Sequence, residues 1–258
     1  MHRSKTLTRH AATALLATSL CCAPLASATV VEFQTVLGSF RVNLFDDTTP
    51  QTVANFLDYV NNGAYSDSIV HRSVPDFVIQ GGGFTFDGAL PFGDIATNDP
   101  VVNEPELSNR RGTISMAKVS GQPNSATSQW FINTIDNQGA LDGQNGGFTA
   151  FGIVMDNGMD VVDAIADLAR FNFGGAFTTV PLRDYTDTTV DPDGDNVILI
   201  TAIVVTDSTT TTNTNLLPPA NTIITTTPPT DNGGGSGGGA PALPGLLALG
   251  LLALRQRR

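Results

Sequence analysis

Residues 70–84 read VHRSVPDFVIQGGGF, and residues 112–133 read GTISMAKVSGQPNSATSQWFIN. The first stretch sets His71 and Arg72 in an apolar, strand-like context and ends in three glycines. Together the two stretches offer much apolar surface and a few amide and guanidinium donors, but no acid–base set. They therefore predict a site that works by apolar contact and hydrogen-bond donation.

On both sides of these stretches, short runs of alternating apolar and polar residues are separated by turn residues, a pattern that predicts antiparallel strands. Residues 30–36 (VVEFQTV) are the first run, and a tight hairpin at residues 37–40 leads into the second. Residues 197–205, a β-branched run, are the last strand before the composition changes. The folded domain is therefore predicted to span residues 29–207.

Two segments have apolar residues at helical spacing and predict helices over residues 51–61 and 159–169. Thr49 is the expected cap of the first helix, with Pro50 at its first position. Many short strands with two isolated helices predict a mainly β fold. We expect a closed or nearly closed barrel, whose open ends the helices cover.

The N-terminus has the order of a secretory signal peptide. Basic residues precede the apolar run 11–23, and Ala26-Ser27-Ala28 matches the small-x-small cleavage pattern. Residues 1–28 are therefore predicted to be a signal peptide cleaved after Ala28, with a buried N-terminal helix as the alternative.

The C-terminal part of the chain has a composition that cannot bury a core. Residues 208–239 are rich in Thr, Pro and Gly and predict a disordered linker. Residues 240–258 are a short apolar segment followed by arginines. About fifteen apolar residues are fewer than a spanning helix needs. We therefore expect an envelope sorting signal that is removed, or a weak membrane anchor.

The chain carries 24 Asp and Glu against 13 Lys and Arg, a formal net charge of −11 at pH 7. Six of the cations lie in residues 1–28 and 255–258, and every acid lies between these ends. Such an acidic body argues against nucleic acid or anionic lipid as a partner, because both are negatively charged. The acidic residues are expected to favour solubility.

Familiar catalytic and metal-binding sets are missing from the predicted mature chain. The two cysteines, Cys21 and Cys22, lie in the signal peptide, which excludes disulfides, thiolate metal sites and a cysteine nucleophile. His71 is the one histidine after residue 28, so we expect it to be structural rather than part of a triad or a metal site. The acidic loop Asp191–Asp195 resembles part of a calcium loop but lacks the distal glutamate, and a solvated turn is the preferred interpretation.

The two quoted stretches resemble the signatures of the cyclophilins, and the run Asn124–Gln129 is similar to their bacterial branch. Leu141-Asp142-Gly143 and residues 148–152 (FTAFG) follow in the order expected of that family. The resemblance covers about residues 29–206. It implies a closed eight-stranded antiparallel barrel capped by two helices, peptidyl-prolyl cis-trans isomerase activity and no cofactor.

The resemblance also implies the roles of individual residues. Arg72 would donate to the prolyl nitrogen of the substrate, and Gln80 and Phe131 complete the catalytic group. The expected substrate-binding residues are Phe77, Val78, Ala117, Lys118, Gln129, Leu141 and Phe148. Gln80 and Gln129 would orient the substrate backbone through their amides, while Ala117 and the main chain of Lys118 would hold the residue before proline extended.

Four positions depart from the best-known pattern of the family. Val78 stands where a methionine is usual, Phe148 where a histidine is common, and Lys118 where eukaryotic members have asparagine. The change at Lys118 is expected to matter little, because the family contact there is through the backbone. Ala140 replaces a tryptophan that helps to bind cyclosporin, so weak cyclosporin binding is expected.

Two other functions are compatible with the sequence. A non-catalytic module or chaperone could use the same groove to hold proline-containing segments, and the tail could belong to a surface structural protein. The expected partners are proline-containing polypeptides, with transient membrane attachment through the tail as an option. We expect an exported monomer in the periplasm or outer cell envelope, either tethered to the membrane or sorted to the surface.

Overall fold

The computed structural model describes residues 28–210 and 216–224. Three α-helices are present in this part of the chain: α1 (Pro50–Asn61), α2 (Gln138–Leu141) and α3 (Gly158–Ala166), with a 3-10 turn at Gln144–Gly146. The strands are β1 (Ala28–Thr35), β2 (Gly38–Leu44), β3 (Ser68–Ile69), β4 (Arg72–Val74), β5 (Val78–Gly81), β6 (Phe84–Thr85), β7 (Gly93–Asp94), β8 (Thr113–Met116), β9 (Trp130–Asn133), β10 (Ala150–Val154), β11 (Ala169–Phe171), β12 (Val180–Leu182) and β13 (Leu199–Thr210).

Eleven of these strands form one sheet in the order β4-β5-β9-β8-β10-β2-β1-β13-β3-β6-β7, and β11 pairs separately with β12. All the strand pairs are antiparallel, as the alternating sequence pattern predicts. The predicted hairpin joins β1 to β2, with Thr35 opposite Gly38. The fold is therefore mainly β, with a single large sheet at its centre.

The two strands β3 and β4 are separated by only two residues in the chain, yet β4 is at one end of the strand order and β3 is near the other end. The sheet must therefore curl to bring these two places together. The Val70 N–H donates to the Ile198 carbonyl at 3.0 Å, whereas the next N–H, of His71, donates to the Gln80 carbonyl at 3.1 Å. The hydrogen-bonding partner thus changes from the β13 side to β5 within one residue.

The closed eight-stranded barrel is not confirmed. The sheet is an open series of eleven strands, and its ends, β4 and β7, are not paired with each other. The change of partner at Val70 and His71 divides one stretch into two strands, and β6 and β7 extend the sheet beyond β3. Neither feature can be read from the apolar–polar alternation. The alternation shows which face of the sheet a residue lies on, but not which strand pairs with which.

Helix α1 lies where the sequence predicts it, with Thr49 at the N-cap position and Pro50 at the start of the helix, but the Thr49 side chain does not cap it. The Thr49 side chain makes no capping bond and donates instead to the Phe45 carbonyl at 3.3 Å. The carboxylate of Glu104 accepts the N–H groups of Gln51 and Thr52 at 3.1 and 2.9 Å. A carboxylate from a distant loop therefore satisfies the free donors and suits the positive end of the helix dipole.

The second predicted helix is α3, which ends at Ala166 rather than Ala169. It stops early because Ala169–Phe171 pairs with Val180–Leu182, so tertiary pairing overrides the helical spacing. The four-residue α2 was not predicted, since it is too short to show a periodic pattern.

The main core lies between the inner face of the curled sheet and helices α1 and α3. Aromatic rings fill its centre: Phe33 meets Trp130 edge to face at 5.2 Å, and Phe56 contacts Phe33, Tyr65 and Phe151. Tyr65 also donates its hydroxyl to the Ser128 carbonyl at 2.7 Å, which ties the segment before β9 to the core. The core thus supports the strands that carry the predicted site.

Residues 216–224, within the predicted linker, lie against the sheet domain. The Ser108 N–H donates to the Pro219 carbonyl at 2.9 Å, and Leu217 packs on a cluster that contains Phe45, Leu107 and Ala150. Strand β13 also extends three residues past the predicted domain end at 207.

The predicted signal peptide up to residue 27 and the apolar tail 240–258 lie outside the described residues. No helix in the described ranges has the length and apolar character needed to cross a membrane.

Candidate active site

Arg72, Gln80 and Phe131 are cross-strand neighbours. Arg72 is opposite Gln80 in the β4–β5 pair, and Gln80 is opposite Phe131 in the β5–β9 pair. Directly opposed residues of antiparallel strands project from the same face of a sheet. The register therefore sets the three side chains in a row.

A chain of side-chain hydrogen bonds runs along this row. Arg72 donates from Nη1 to Gln80 Oε1 at 3.2 Å, and Gln80 donates from Nε2 to Gln129 Oε1 at 2.9 Å. The amide of Gln80 is thereby oriented with its oxygen toward the arginine. Gln129 in turn orients Gln80.

The guanidinium of Arg72 is buried, with 8% of the residue exposed. The ion pairs within residues 28–210 and 216–224 join Arg41 to Asp156, Arg110 to Asp136 and Arg111 to Asp163, so none of them involves Arg72. Burial lowers the pKa of Arg72 from its ordinary value, but a guanidinium stays charged at neutral pH. The charge is therefore held by an amide and remains available to a ligand.

An apolar pocket adjoins this charge. A small cavity is lined by Arg72, Phe77, Val78, Gln80, Phe131 and Leu141. Val78, Ala117, Phe131, Leu141 and Phe148 form one buried cluster, with Phe77 packed against it. The rings of Phe131 and Phe148 meet edge to face at 5.7 Å. Two larger concavities, beside Arg41 and beside Arg111, contain none of the predicted site residues.

The glycines that follow Gln80 are required by close packing. A Cβ on Gly81 would lie 2.7 Å from the Trp130 ring, and a Cβ on Gly83 would lie 2.8 Å from the Gln129 side chain. These distances are shorter than van der Waals contact. The glycine run therefore allows Gln129 to reach Gln80.

Lys118 takes part through its side chain, which the sequence analysis did not predict. Its Nζ donates to the Asn145 and Gly147 carbonyls at 2.9 and 2.5 Å and lies 4.8 Å from the centroid of the Phe148 ring. Burial lowers the pKa of Lys118 to about 8, whereas both carbonyls and the ring face favour the charged form. Lys118 thus holds the segment that carries Phe148, and the expectation that only its backbone matters is incomplete.

Ala117 closes the pocket beside Lys118. Its N–H donates to the Gln129 carbonyl at 2.9 Å, so this donor is already used within the protein. The contact that Ala117 offers a ligand is therefore its methyl group and carbonyl.

A buried polar network, also missed by the sequence analysis, supports Leu141 and Phe148. The Asp142 carboxylate accepts bonds from the Ser108 hydroxyl at 2.5 Å and from the Asn109 N–H and amide at 2.8 and 2.9 Å. The Asn109 amide also donates to the Phe148 carbonyl at 3.0 Å. Asp142 belongs to the Leu-Asp-Gly motif, but nothing in the sequence pairs it with Asn109.

All ten predicted site residues meet in this one region. Six line the cavity, Ala117 and Phe148 complete the apolar cluster, Gln129 bonds to Gln80, and Lys118 covers Phe148. The arrangement offers an unpaired positive charge, two fixed amides and an apolar pocket.

His71 contributes packing and no polar contact. Neither ring nitrogen has a hydrogen-bond partner among the residues that the structure describes, and the ring meets those of Phe84 and Phe177 edge to face at 4.9 and 6.4 Å. Burial, with a smaller effect of the Arg72 charge, lowers the pKa of His71 from 6.5 to about 3. No group of three or more His, Cys, Asp or Glu side chains in the described ranges is placed to hold a metal ion. In the acidic loop, the Asp193 carboxylate accepts the Asp195 N–H.

Comparison with known proteins identifies relatives of this chain. The model of the family described as "Cyclophilin type peptidyl-prolyl cis-trans isomerase/CLD" matches residues 30–185, more than half of the chain. Peptidyl-prolyl cis-trans isomerase A of Dickeya dadantii is 43% identical over 160 residues, which cover 61% of this chain and 80% of that protein. Peptidyl-prolyl cis-trans isomerase B of Escherichia coli is 41% identical over 161 residues, which cover 60% of this chain and 94% of that protein.

The buried state of His71 predicts a loss of stability in acid. Its pKa in the folded protein, about 3, is below the unfolded value of 6.5, so between these pH values only the unfolded chain binds the proton. Stability is therefore complete above pH 6.5 and decreases as the pH falls. Between pH 7 and pH 5 we expect this residue to cost about 2 kcal/mol.

Urea unfolding of the parent and of His71→Leu at several pH values measures this contribution. The carboxylates titrate in both proteins, so the difference in unfolding free energy between them isolates the histidine. A difference that does not change with pH would show that His71 accepts a proton in the folded state.

Proposed function

The chain belongs to the cyclophilin-type peptidyl-prolyl cis-trans isomerases, and we propose that it catalyses rotation of X-Pro bonds through Arg72, which donates to the nitrogen of a twisted prolyl amide. The observation that carries this mechanism is the buried guanidinium of Arg72. An amide holds it at the edge of an apolar pocket, and no carboxylate of the described residues forms an ion pair with it.

The barrier to this rotation, about 18–20 kcal/mol, comes from amide resonance. When the bond twists, conjugation is lost and the lone pair of the prolyl nitrogen becomes able to accept a hydrogen bond. A donor at that nitrogen therefore stabilises the transition state more than the planar ground state. The apolar surroundings favour the less polar twisted amide as well. No bond is made or broken, and no proton is transferred.

The substrate is a proline-containing segment whose ring enters the pocket between Val78, Phe131 and Leu141. Gln129 would orient the substrate backbone, and Ala117 would contact the residue before proline. Val78 is a shorter and stiffer side chain than the methionine usual in the family, and this difference is expected to alter sequence preference. Lys118 acts indirectly, by holding the backbone before Phe148.

The catalytic role of Arg72 predicts that Arg72→Ala lowers kcat/KM by about 10²- to 10³-fold, the usual effect of removing a donor to the transition state. Arg72→Lys keeps the charge but loses the planar donor, and should recover only a small part of the rate. The assay follows isomerisation of a proline-containing peptide.

Arg41→Ala is the matched control, because it removes an arginine whose side chain is 51% exposed and pairs with Asp156. It should leave kcat/KM at the parent value. Full activity of a folded Arg72→Ala protein would exclude the mechanism. Absence of isomerase activity in the parent would favour the non-catalytic binding module.

The clients are proposed to be exported proteins, since residues 1–28 have the order of a secretory signal and residues 240–258 that of a removable sorting signal or weak anchor. The mature isomerase would then assist folding in the periplasm or outer envelope. Monomeric action is proposed because one chain supplies every site residue.

Export predicts that the native protein begins at Thr29. Intact-mass measurement and N-terminal sequencing of protein purified from its own cells test this, and expression of residues 29–258 alone is the mass standard. A native protein that retains residues 1–28 would contradict export. The same spectrum shows whether the C-terminal residues 240–258 have been removed.

Weak binding of cyclosporin is proposed from Ala140, which is exposed on α2 beside the buried Leu141. The tryptophan that helps to bind the drug in other family members is replaced there by a methyl group. Ala140→Trp is expected to raise cyclosporin affinity by about tenfold or more, as an added aromatic anchor does at an interface. Titration calorimetry on the parent, Ala140→Trp and Ala140→Ser measures it, and equal affinities would contradict this explanation.

A further inference from the structure

The segment of residues 216–224, here called the docked segment, lies on the domain beyond the last strand. Its backbone joins a loop between β7 and β8: the Ser108 N–H donates to the Pro219 carbonyl at 2.9 Å, and the Asn221 N–H donates to the Glu106 carbonyl at 2.8 Å. Leu107 and Ala220 form an antiparallel bridge between these two bonds. The segment is therefore paired with the domain in a defined register.

Apolar side chains anchor the same segment. Leu217 packs against the buried cluster of Phe45, Leu107 and Ala150, and Pro218 is buried. The docked segment thus covers an apolar area that would face solvent without it.

The docked segment also contacts residues 141–148, here called the pocket loop, whose ends Leu141 and Phe148 belong to the apolar pocket. The Asn221 side chain donates from Nδ2 to the Asp142 carbonyl at 2.9 Å. A Cβ on Gly143 would lie 3.0 Å from Ile223, and a Cβ on Gly147 would lie 2.5 Å from Ile224. Glycines at these positions leave room for the two isoleucine side chains.

The pocket loop is held by several sets of contacts, of which the docked segment supplies one. Asn103 donates to the Gly146 and Gly147 carbonyls at 2.8 Å, and Ser108 and Asn109 bind the Asp142 carboxylate. Lys118 binds the carbonyls of Asn145 and Gly147, while Asn221 binds the carbonyl of Asp142. Ser108 links the docked segment to the pocket loop. Its N–H donates to the Pro219 carbonyl of the docked segment, and its hydroxyl donates to the Asp142 carboxylate. Movement of the docked segment would therefore remove the bond to the Asp142 carbonyl and disturb Ser108, which also binds the Asp142 carboxylate.

We propose that residues 216–224 are a positioning segment of the isomerase site, which fixes the pocket loop and thereby the placement of Leu141 and Phe148 against the proline ring. This inference rests on the proposed role of the pocket. It extends the functional domain to residue 224, so a protein that ends at 207 would lack part of the support for its own pocket.

The sharpest test is Asn221→Asp in the full-length protein. Aspartate keeps the oxygen that accepts the Ile223 N–H, but it cannot donate to the Asp142 carbonyl. We expect kcat/KM for a proline-containing peptide to fall about two- to tenfold, the range expected for one lost hydrogen bond. Hydrogen–deuterium exchange of residues 142–148 should become faster at the same time.

Thr222→Ala is the matched control, since Thr222 is the exposed neighbour in the same segment. It should leave both the rate and the exchange unchanged. Leu217→Ala is a second, independent variant that removes the apolar anchor, and the volume-conserving Leu217→Met should restore parent behaviour. If Asn221→Asp does not fold, the leucine pair supplies the same comparison.

A fall in kcat/KM together with faster exchange at residues 142–148, in a variant that is folded at the assay temperature, supports the proposal. Parent values of kcat/KM in folded Asn221→Asp and Leu217→Ala would overturn it, even if both unfold at lower temperature. An inactive parent whose exchange at residues 142–148 still responds to Asn221→Asp would instead refute the proposed function and show that the segment only docks.

Discussion

The site depends on a buried arginine that has no carboxylate partner in the described residues. Neutral groups must therefore hold its guanidinium in place. Gln80 does so for Arg72, and Gln129 orients Gln80 in turn. An aspartate or glutamate in place of Gln80 would bind the guanidinium more strongly. It would also cancel the positive charge on which the proposed mechanism depends. The amide secures the arginine and leaves its charge uncancelled.

Strand register is what makes this arrangement possible. Arg72, Gln80 and Phe131 come from three strands and align because each faces the next across an antiparallel ladder. A slip of one residue would turn Gln80 to the other face of the sheet. The register is supported from behind by Trp130, whose ring fills the space over Gly81 and Gly82. Packing in the core and the alignment of the polar row at the pocket therefore depend on the same two glycines.

Much of the fold and of the candidate site could be predicted from the sequence, because these features depend on local sequence patterns. Period-two alternation predicted the strands, and helical spacing predicted α1 and most of α3. The two quoted stretches, with residues 141–143 and 148–152, predicted side chains that the structure brings together around one cavity. The remainder depends on contacts between distant residues. Glu104 at the start of α1, Asn109 on Asp142 and the Lys118 amine on residues 145–147 join segments far apart in the chain. Composition alone likewise marked residues 216–224 as linker, although Leu217 and Asn221 find specific partners on the domain.

Trp130 is the one tryptophan in the chain, and it is buried immediately before Phe131 on β9, opposite Gly81 on β5. Its indole emission consequently comes from a single place, the interface between the core and the strands that carry Gln80 and Phe131. The intrinsic fluorescence spectrum of this protein thus shows whether β5 and β9 are paired. Solvent reaching the indole would shift the emission to the red when β5 and β9 separate, and no introduced dye is needed to observe it.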